Sequence, residues 1–175
     1  GSWGDAFEQR ALERGERGLW HYEDGRNLDG VYYDYDVTVE GICRRTADPY
    51  ARACGVNGRR SMVIDLARTD PPGWSEDRAP KKEPEDVIYE LHIRDFSDDP
   101  HSGISSAHRG KYLALCEEGT TLDGEHPTGL DYLKRLGITH VQLMPVFDFG
   151  SVDETAELPA YNWGYDPVNY NVPEG

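Results

Sequence analysis

The sequence YNWGYDPVNY at residues 161–170 decides how the rest of the chain is interpreted. Its ten residues include four aromatic side chains, two asparagines, one aspartate, one glycine and one proline. Flat aromatic faces beside amide and carboxylate groups suit a ligand with CH-rich faces and hydroxyl rims, which describes a sugar ring. Gly164 and Pro167 predict bends in the backbone rather than a helix. Composition alone supports a packed aromatic turn equally well.

Two apolar runs and a short amphipathic segment precede this stretch. Residues 87–96, VIYELHIRDF, and residues 140–147, HVQLMPVF, each predict a buried strand. Between them, residues 129–137 predict a helix that Thr128 caps and Gly137 ends. A β-α-β unit of this kind has parallel strands, so the aromatic stretch should lie beyond the carboxyl end of the second strand. In α/β barrels that face carries the active site.

Three segments of the chain resemble one enzyme family. VIYELHIRDFS, HPTGLDYLKRLGITHVQLMPVFDF and YNWGYDPVNYNVPEG are similar to type I pullulanases, the starch-debranching members of the α-amylase superfamily (glycoside hydrolase family 13). YNWGYDP is the signature that separates pullulanases from most of their relatives, and it is intact here. The resemblance extends back to about Leu19. It implies hydrolysis of α-1,6 branch linkages with retention, and no organic cofactor.

The resemblance also assigns roles within the signature. Tyr165 matches the tyrosine that stacks under the sugar immediately before the cleaved bond, and Asp166 matches a polar neighbour on the same loop. Asn162 and Trp163 would shape and support this site, with loop scaffolding as the alternative. The expected partners are α-glucans: pullulan, amylopectin, glycogen and limit dextrins. The superfamily takes its catalytic carboxylates from barrel strands four, five and seven, so we expect no catalytic residue in this chain.

The predicted fold is a multidomain fragment. Residues 1–66 resemble the later strands of the family 48 starch-binding module, an immunoglobulin-like β-sandwich that usually ends as DPYARACGVNGRRSMVIDL does here. Residues 67–86 combine prolines with mixed charges and predict an extended linker. Residues 87–175 would form the first βαβ part of a (β/α)8 TIM barrel, which needs about 250 residues to close. We therefore expect the chain alone to be inactive and to fold poorly.

The first region combines a helix-like pattern with strand-like ones. Residues 5–17, DAFEQRALERGER, are typical of a charged helix, but the glycines at positions 15 and 18 and the family resemblance favour a strand pair. Residues 31–39, VYYDYDVTV, predict a strand that could pair with residues 18–22. Aromatic side chains here are expected to pack rather than to bind sugar: Trp20, Tyr32, Tyr33 and Tyr35.

Charge and cysteine usage exclude several function classes. The chain has 18 Lys and Arg residues and 33 Asp and Glu residues. The resulting net charge of −15 argues against nucleic acid and anionic membrane surfaces as partners. No apolar stretch is long enough to cross a membrane. Cys43, Cys54 and Cys116 are too scattered for a disulfide framework and predict buried free thiols, which favours a reducing, cytoplasmic compartment. No ligand cluster for zinc or calcium is evident, so no metal site is predicted.

Glu90, His92 and Arg94 alternate along the first predicted barrel strand and should share one face. A buried ion-pair network is the favoured interpretation, and support of a sugar pocket by His92 or Arg94 is the other. Two rival functions stay open at this point. One is an isoamylase or glycogen-debranching type of enzyme, and the other is a non-catalytic carbohydrate-binding piece.

Overall fold

The computed structural model describes residues 7–81, 85–156 and 160–175. In these parts the chain forms mostly short strands, arranged in two-stranded sheets. The strands are β1 Glu13–Arg14, β2 Trp20–His21, β3 Tyr32–Tyr33, β4 Tyr35–Val39, β5 Ile42–Thr46, β6 Ser61–Met62, β7 Ile88–Leu91, β8 His140–Leu143, β9 Phe147–Phe149 and β10 Pro167–Pro173. The α-helices are α1 Ile93–Ser97 and α2 Gly129–Leu136, and short 3-10 turns cover Glu16–Gly18, Val56–Gly58, Leu66–Arg68, Trp74–Glu76 and Tyr112–Cys116.

The first region consists of three antiparallel strand pairs. β1 pairs with β2, β3 pairs with β6, and β4 pairs with β5. The β4–β5 hairpin closes through Glu40 and Gly41, which both have positive φ, 52° and 81°. That geometry matches the right-handed twist of the two strands. This set of short antiparallel pairs fits a β-sandwich module.

One expectation for the first region is confirmed and another needs correction. The strand pair is confirmed over the charged helix, although residues 1–6 lie outside the described residues. The predicted strand at residues 31–39 is broken at Asp34 into β3 and β4, and it does not pair with residues 18–22. The two-residue connection favours the β4–β5 hairpin, because closing a short loop costs less entropy than closing a long one. β3 pairs with the distant β6 instead, which loop length does not explain.

Exposure of side chains differs from the sequence-based expectation in this region. Tyr33 and Tyr35 are partly buried and their rings meet edge to face at 5.7 Å, as packing predicts. Trp20 and Tyr32 are largely exposed. The prediction of buried thiols is wrong for two cysteines, because Cys43 and Cys116 are exposed and Cys54 is partly buried.

The second region contains the predicted β-α-β unit. β7 and β8 are parallel, with Ile88 opposite His140 and Leu91 opposite Leu143. α2 begins after Thr128 and ends at Gly137, as predicted. The Thr128 hydroxyl does not cap the helix, however, because it donates a hydrogen bond to the Ser102 carbonyl instead.

The strand predicted at residues 87–96 is shorter than expected. It ends at Leu91 because the His92 side chain accepts a hydrogen bond from the Asp95 backbone N–H and so caps α1. Glu90, His92 and Arg94 therefore do not share a strand face, and the buried ion-pair network is wrong. Arg94 lies on α1 and pairs with Asp98 at 3.7 Å near the surface.

The second predicted strand is also divided. β8 stops at Leu143, and Phe147 opens β9, which is antiparallel to β10. The two strands are less buried than expected. In β7 Leu91 is 5% exposed but Ile88 is 63% exposed, and all four residues of β8 are exposed. In the described parts, no third strand joins their sheet, and Ile88, Val141 and Leu143 remain exposed.

A buried polar cluster joins the first region to the second. The Asp148 carboxylate is 1% exposed and accepts a hydrogen bond from Asn169 Nδ2 at 2.6 Å. Asn169 also donates to the Gly58 carbonyl at 3.2 Å. A Cβ on Gly58 would overlap both side chains. Beside this cluster, Asn57 and Glu154 exchange two hydrogen bonds of 3.0 and 2.9 Å.

Candidate functional site

The aromatic loop, defined as residues 160–166, lies over the carboxyl ends of β7 and β8. It belongs to the connection between β9 and β10. These two strands pair antiparallel to each other and so anchor both ends of the connection. The two parallel strands end together, since the Met144 N–H donates to the Leu91 carbonyl at 2.8 Å. The predicted position of the loop, beyond the second strand's carboxyl end, is thereby confirmed.

Gly164 fixes the bend of the aromatic loop. Its φ of +83° lies in the left-handed region that side chains with a Cβ disfavour. A Cβ at this position would also collide with the Pro145 carbonyl. The Gly164 N–H donates to Asn162 Oδ1 at 2.6 Å, which closes a tight turn. The loop therefore rests directly on the backbone that follows β8.

Polar side chains brace the aromatic loop from within. Asn162 Nδ2 donates to Ser151 Oγ at 2.7 Å and to Asp166 Oδ1 at 2.8 Å. Asp166 Oδ2 accepts the Ser151 N–H at 3.0 Å. Hydrogen bonds from Ser151 and Asn162 hold the pKa of Asp166 below its usual range, so the carboxylate stays ionised. Asn162 and Asp166, both predicted site residues, thus use much of their hydrogen-bonding capacity within the loop and its Ser151 neighbour.

Three rings form an aromatic wall at the base of the loop. His92 lies 5.1 Å from Tyr161 and 6.0 Å from Trp163 between ring centroids. Tyr161 meets Trp163 edge to face at 5.3 Å, which is a favourable arrangement for aromatic pairs. The Tyr161 hydroxyl donates to Asp95 Oδ2 at 2.6 Å, and this bond raises the pKa of Tyr161 to about 12. Trp163 still leaves 56% of its surface exposed.

Tyr165 differs from the other three predicted site residues. It is 66% exposed. In the described parts of the chain, its hydroxyl has no hydrogen-bond partner and its ring has no aromatic neighbour within contact range. A free aromatic face on an otherwise braced loop can stack on a flat apolar surface such as a sugar face.

Sequence reasoning missed several members of this site. The Tyr161–Asp95 hydrogen bond and the role of Ser151 were not predicted, because they join residues 66 and 11 positions apart. His92 was considered, but on a strand face that does not exist. The available signal was the His-x-x-Asp spacing at residues 92–95, which suits a capped helix start.

A second group of titratable side chains lies near the buried polar cluster. Carboxylate oxygens of Asp148, Glu154 and Glu174 all lie within 4.8 Å of one another, although the sequence predicted no such group. Burial, with the neighbouring carboxylates adding to it, raises the pKa of Glu174 to about 7. Burial likewise raises the pKa of the nearby Cys54 thiol to about 12. Proximity of carboxylates alone does not identify a metal, and we assign none.

Comparison with known proteins finds pullulanases and a glycogen debranching enzyme as relatives. No protein-family model matches the chain. The chain is 41% identical over 165 residues to the pullulanase of Bacillus subtilis (strain 168), which covers 94% of this chain and 22% of that protein. A glycogen debranching enzyme of Erwinia tasmaniensis is 39% identical over 162 residues, covering 86% of this chain and 23% of that protein. The chain spans about a fifth of the length of the curated relatives it matches.

Solved structures agree with the sequence comparison. The chain superposes on the pullulanase from Bacillus acidopullulyticus with a TM-score of 0.91 at 48% identity, over 99% of this chain and 21% of that chain. Pullulanase from Paenibacillus barengoltzii, in complex with maltohexaose and alpha-cyclodextrin, gives a TM-score of 0.87 at 46% identity, over 93% of this chain and 26% of that chain. Among the described residues, no helix has the length and apolarity needed to cross a membrane.

Proposed function

Because this chain is a homologue of pullulanases over 94% of its length, we propose that it is part of a starch-debranching glycoside hydrolase. The reaction would be hydrolysis of α-1,6-glucosidic branch linkages with retention of configuration. The substrates would be α-glucans such as pullulan, amylopectin, glycogen and limit dextrins. The observation that carries the proposal is the free face of Tyr165 on a braced loop at the carboxyl ends of two parallel strands.

Tyr165 would be the platform for the sugar ring next to the cleaved bond. Stacking on one aromatic face contributes about 1 kcal/mol. A platform held in one place also orients the ring for attack. Trp163 and Asn162 would support the platform, and the ionised Asp166 would add a polar rim on the same loop.

The remaining parts of the fold belong to the same proposal. Residues 1–66 would be the later part of an immunoglobulin-like sandwich of the family 48 type, residues 67–86 a linker, and residues 87–175 the opening of a (β/α)8 barrel. The exposed apolar faces of β7 and β8 support this division, since parallel strands in barrels are covered on both faces. Neighbouring barrel strands would supply that cover.

Retaining glycosidases need a nucleophile and an acid/base, both carboxyl groups, on either side of the scissile bond. We place these groups outside residues 1–175, on later barrel strands. Asp166 of the aromatic loop and Asp95 beside it both bind protein groups. Asp95 accepts the Tyr161 hydroxyl and Asp166 accepts Ser151 and Asn162. This chain would therefore provide one wall of the substrate pocket.

The test is product analysis with the full-length protein that carries this segment. We expect release of reducing sugar from pullulan, with maltotriose as the main product. Rapid hydrolysis of glycogen branches with almost no hydrolysis of pullulan would instead indicate the isoamylase or glycogen-debranching type. The similarity to a glycogen debranching enzyme is the reason to test this alternative. Binding of α-glucans without hydrolysis of either would indicate a carbohydrate-binding protein.

A further inference from the structure

We propose that His92 is the positioning residue that fixes the aromatic loop, and with it Tyr165, above the carboxyl ends of β7 and β8. This inference rests on the proposed function, because it names the residue that holds the sugar platform of that site. His92 sits at the point where β7 ends and α1 begins. It therefore belongs to the framework, whereas Tyr165 belongs to the loop.

The hydrogen bonds of His92 specify a proton on Nε2 of its ring. Nε2 lies 2.9 Å from the Asn162 carbonyl oxygen. A carbonyl oxygen only accepts, so Nε2 must carry the proton. Nδ1 accepts the Asp95 N–H at 3.4 Å, and the Asp95 carboxylate lies 3.8 Å from the same nitrogen. Both nitrogens face protein groups, which leaves neither of them to exchange protons with a substrate.

A second link runs parallel to the first. Asp95 lies in the first turn of α1, three residues after His92, and binds the Tyr161 hydroxyl at 2.6 Å. The His92 ring meanwhile packs on the rings of Tyr161 and Trp163. The start of α1 thus holds two successive loop residues, one through its carbonyl and the other through its side chain.

Tyr165 depends on these contacts for its position. Its exposed ring makes no aromatic contact or hydrogen bond in the described residues, so the backbone on its two sides sets where it lies, and Asp166 holds the side that follows. That backbone is fixed at Asn162, whose carbonyl binds His92 and whose side chain binds Gly164. Without His92 the Asn162 carbonyl loses its partner, and the loop gains freedom that substrate binding would have to remove.

The experiment compares three variants of the full-length protein. His92→Phe keeps a ring against Tyr161 and Trp163 but loses both hydrogen bonds. His92→Gln replaces the ring but keeps an N–H donor near the position of Nε2. His101→Phe is the matched control, since His101 is an exposed histidine whose side chain binds, among the described residues, only Asp99. The measurements are KM and kcat on pullulan, inhibition by maltotriose, and hydrogen exchange of residues 160–166.

For His92→Phe we expect KM and the maltotriose inhibition constant to rise about fivefold. This is the effect of losing the hydrogen bond to the Asn162 carbonyl, which contributes about 1 kcal/mol and is the one of the two that reaches the loop. Hydrogen exchange of residues 160–166 should accelerate by a similar factor. His92→Gln should recover most of the affinity, and His101→Phe should behave as the unsubstituted protein. In the unsubstituted protein, nitrogen chemical shifts should show a proton on Nε2 of His92.

Contrary results separate the two proposals. Unchanged affinity and unchanged hydrogen exchange in His92→Phe would overturn the positioning role, as would a proton on Nδ1 rather than Nε2. An unsubstituted protein that neither binds nor hydrolyses α-glucans would overturn the proposed function instead. In that case the exchange of residues 160–166 and the His92 ring form still decide whether His92 fixes the loop.

Discussion

At the scale of single residues, some side chains of the aromatic loop hold the loop in place, and one is exposed to solvent. Asn162 and Asp166 are occupied by bonds to each other and to Ser151, and Gly164 is held against the backbone after β8. The Tyr165 side chain makes none of these contacts and is largely exposed. The sequence motif alone could not separate the two groups, because asparagine, aspartate and tyrosine all occur in both sugar sites and turns.

The first prediction concerns Tyr165. Tyr165→Ala in the full-length protein should lower kcat/KM on pullulan about tenfold, since a stacking contact of about 1 kcal/mol and the orientation of the ring are lost together. Thermal unfolding should hardly change, because the ring is exposed. Tyr165→Phe is the control and should retain most activity, as the hydroxyl has no partner in the described residues. Full activity in a folded Tyr165→Ala variant would contradict the assignment of Tyr165 as the sugar platform.

The second prediction concerns Glu174, whose pKa burial raises from 4.5 to about 7. The folded state binds this proton more tightly than the unfolded chain, so the contribution of Glu174 to stability falls as pH rises from about 4.5 to about 7. Glu174→Gln stays neutral, and its amide oxygen can still accept the Phe149 N–H. The variant should therefore unfold at a higher temperature than the unsubstituted protein at about pH 8, with a smaller difference at about pH 5.

The control for Glu174 is Glu125→Gln, which neutralises an exposed carboxylate in a loop. This variant should show no comparable dependence on pH. If Glu174→Gln were equally stabilising at both pH values, the carboxyl group would not be titrating in this window. If it were destabilising at the higher pH, the ionised form would be the one that the fold favours.

At the scale of elements, the sequence predicted the β-α-β unit well and its ends badly. The helix at residues 129–137 and the parallel strands follow directly from apolar periodicity. The early end of β7 depends on the His92 ring accepting the Asp95 N–H, and no apolar pattern reveals such a cap. The β9–β10 pair was missed because two bulges interrupt its register and polar Asp148 and Asn169 occupy its centre.

The third prediction tests the buried polar cluster between the two regions. Gly58→Ala should destabilise the protein by about 1–3 kcal/mol, because the new methyl group would overlap Asp148 and Asn169 in a closed site. Gly119→Ala is the matched control, with a similar positive φ (73° against 62°) and no atom near its Cβ. The midpoint of denaturant unfolding measures both. Equal losses in the two variants would mean that backbone strain, rather than the overlap, explains the effect.

At the scale of the whole molecule, the chain has more apolar surface than its own elements can cover. β7 and β8 form a sheet of two strands, and exposed Ile88, Val141 and Leu143 lie on it. The sequence predicted apolar strands that need cover, and in the structure Leu91 is covered while these three side chains are not. What the sequence could not predict is the polar junction at Gly58, which ties together residues 111 positions apart.

The fourth prediction follows from that uncovered sheet. The chain of 175 residues on its own should bind hydrophobic dyes and self-associate on a sizing column, since open edges of apolar strands pair with other chains. It should release no reducing sugar from pullulan. A monomer with a sharp cooperative melt would show that β7 and β8 need no further cover.

The most direct test of the central claim is a crystal structure of the full-length protein with maltotriose bound. The account predicts one glucose ring parallel to the Tyr165 ring, with carbon atoms about 4 Å apart. His92 should keep its hydrogen bond to the Asn162 carbonyl in that complex. Maltotriose bound elsewhere, with the Tyr165 ring facing only water, would contradict the assignment of this loop as the sugar platform.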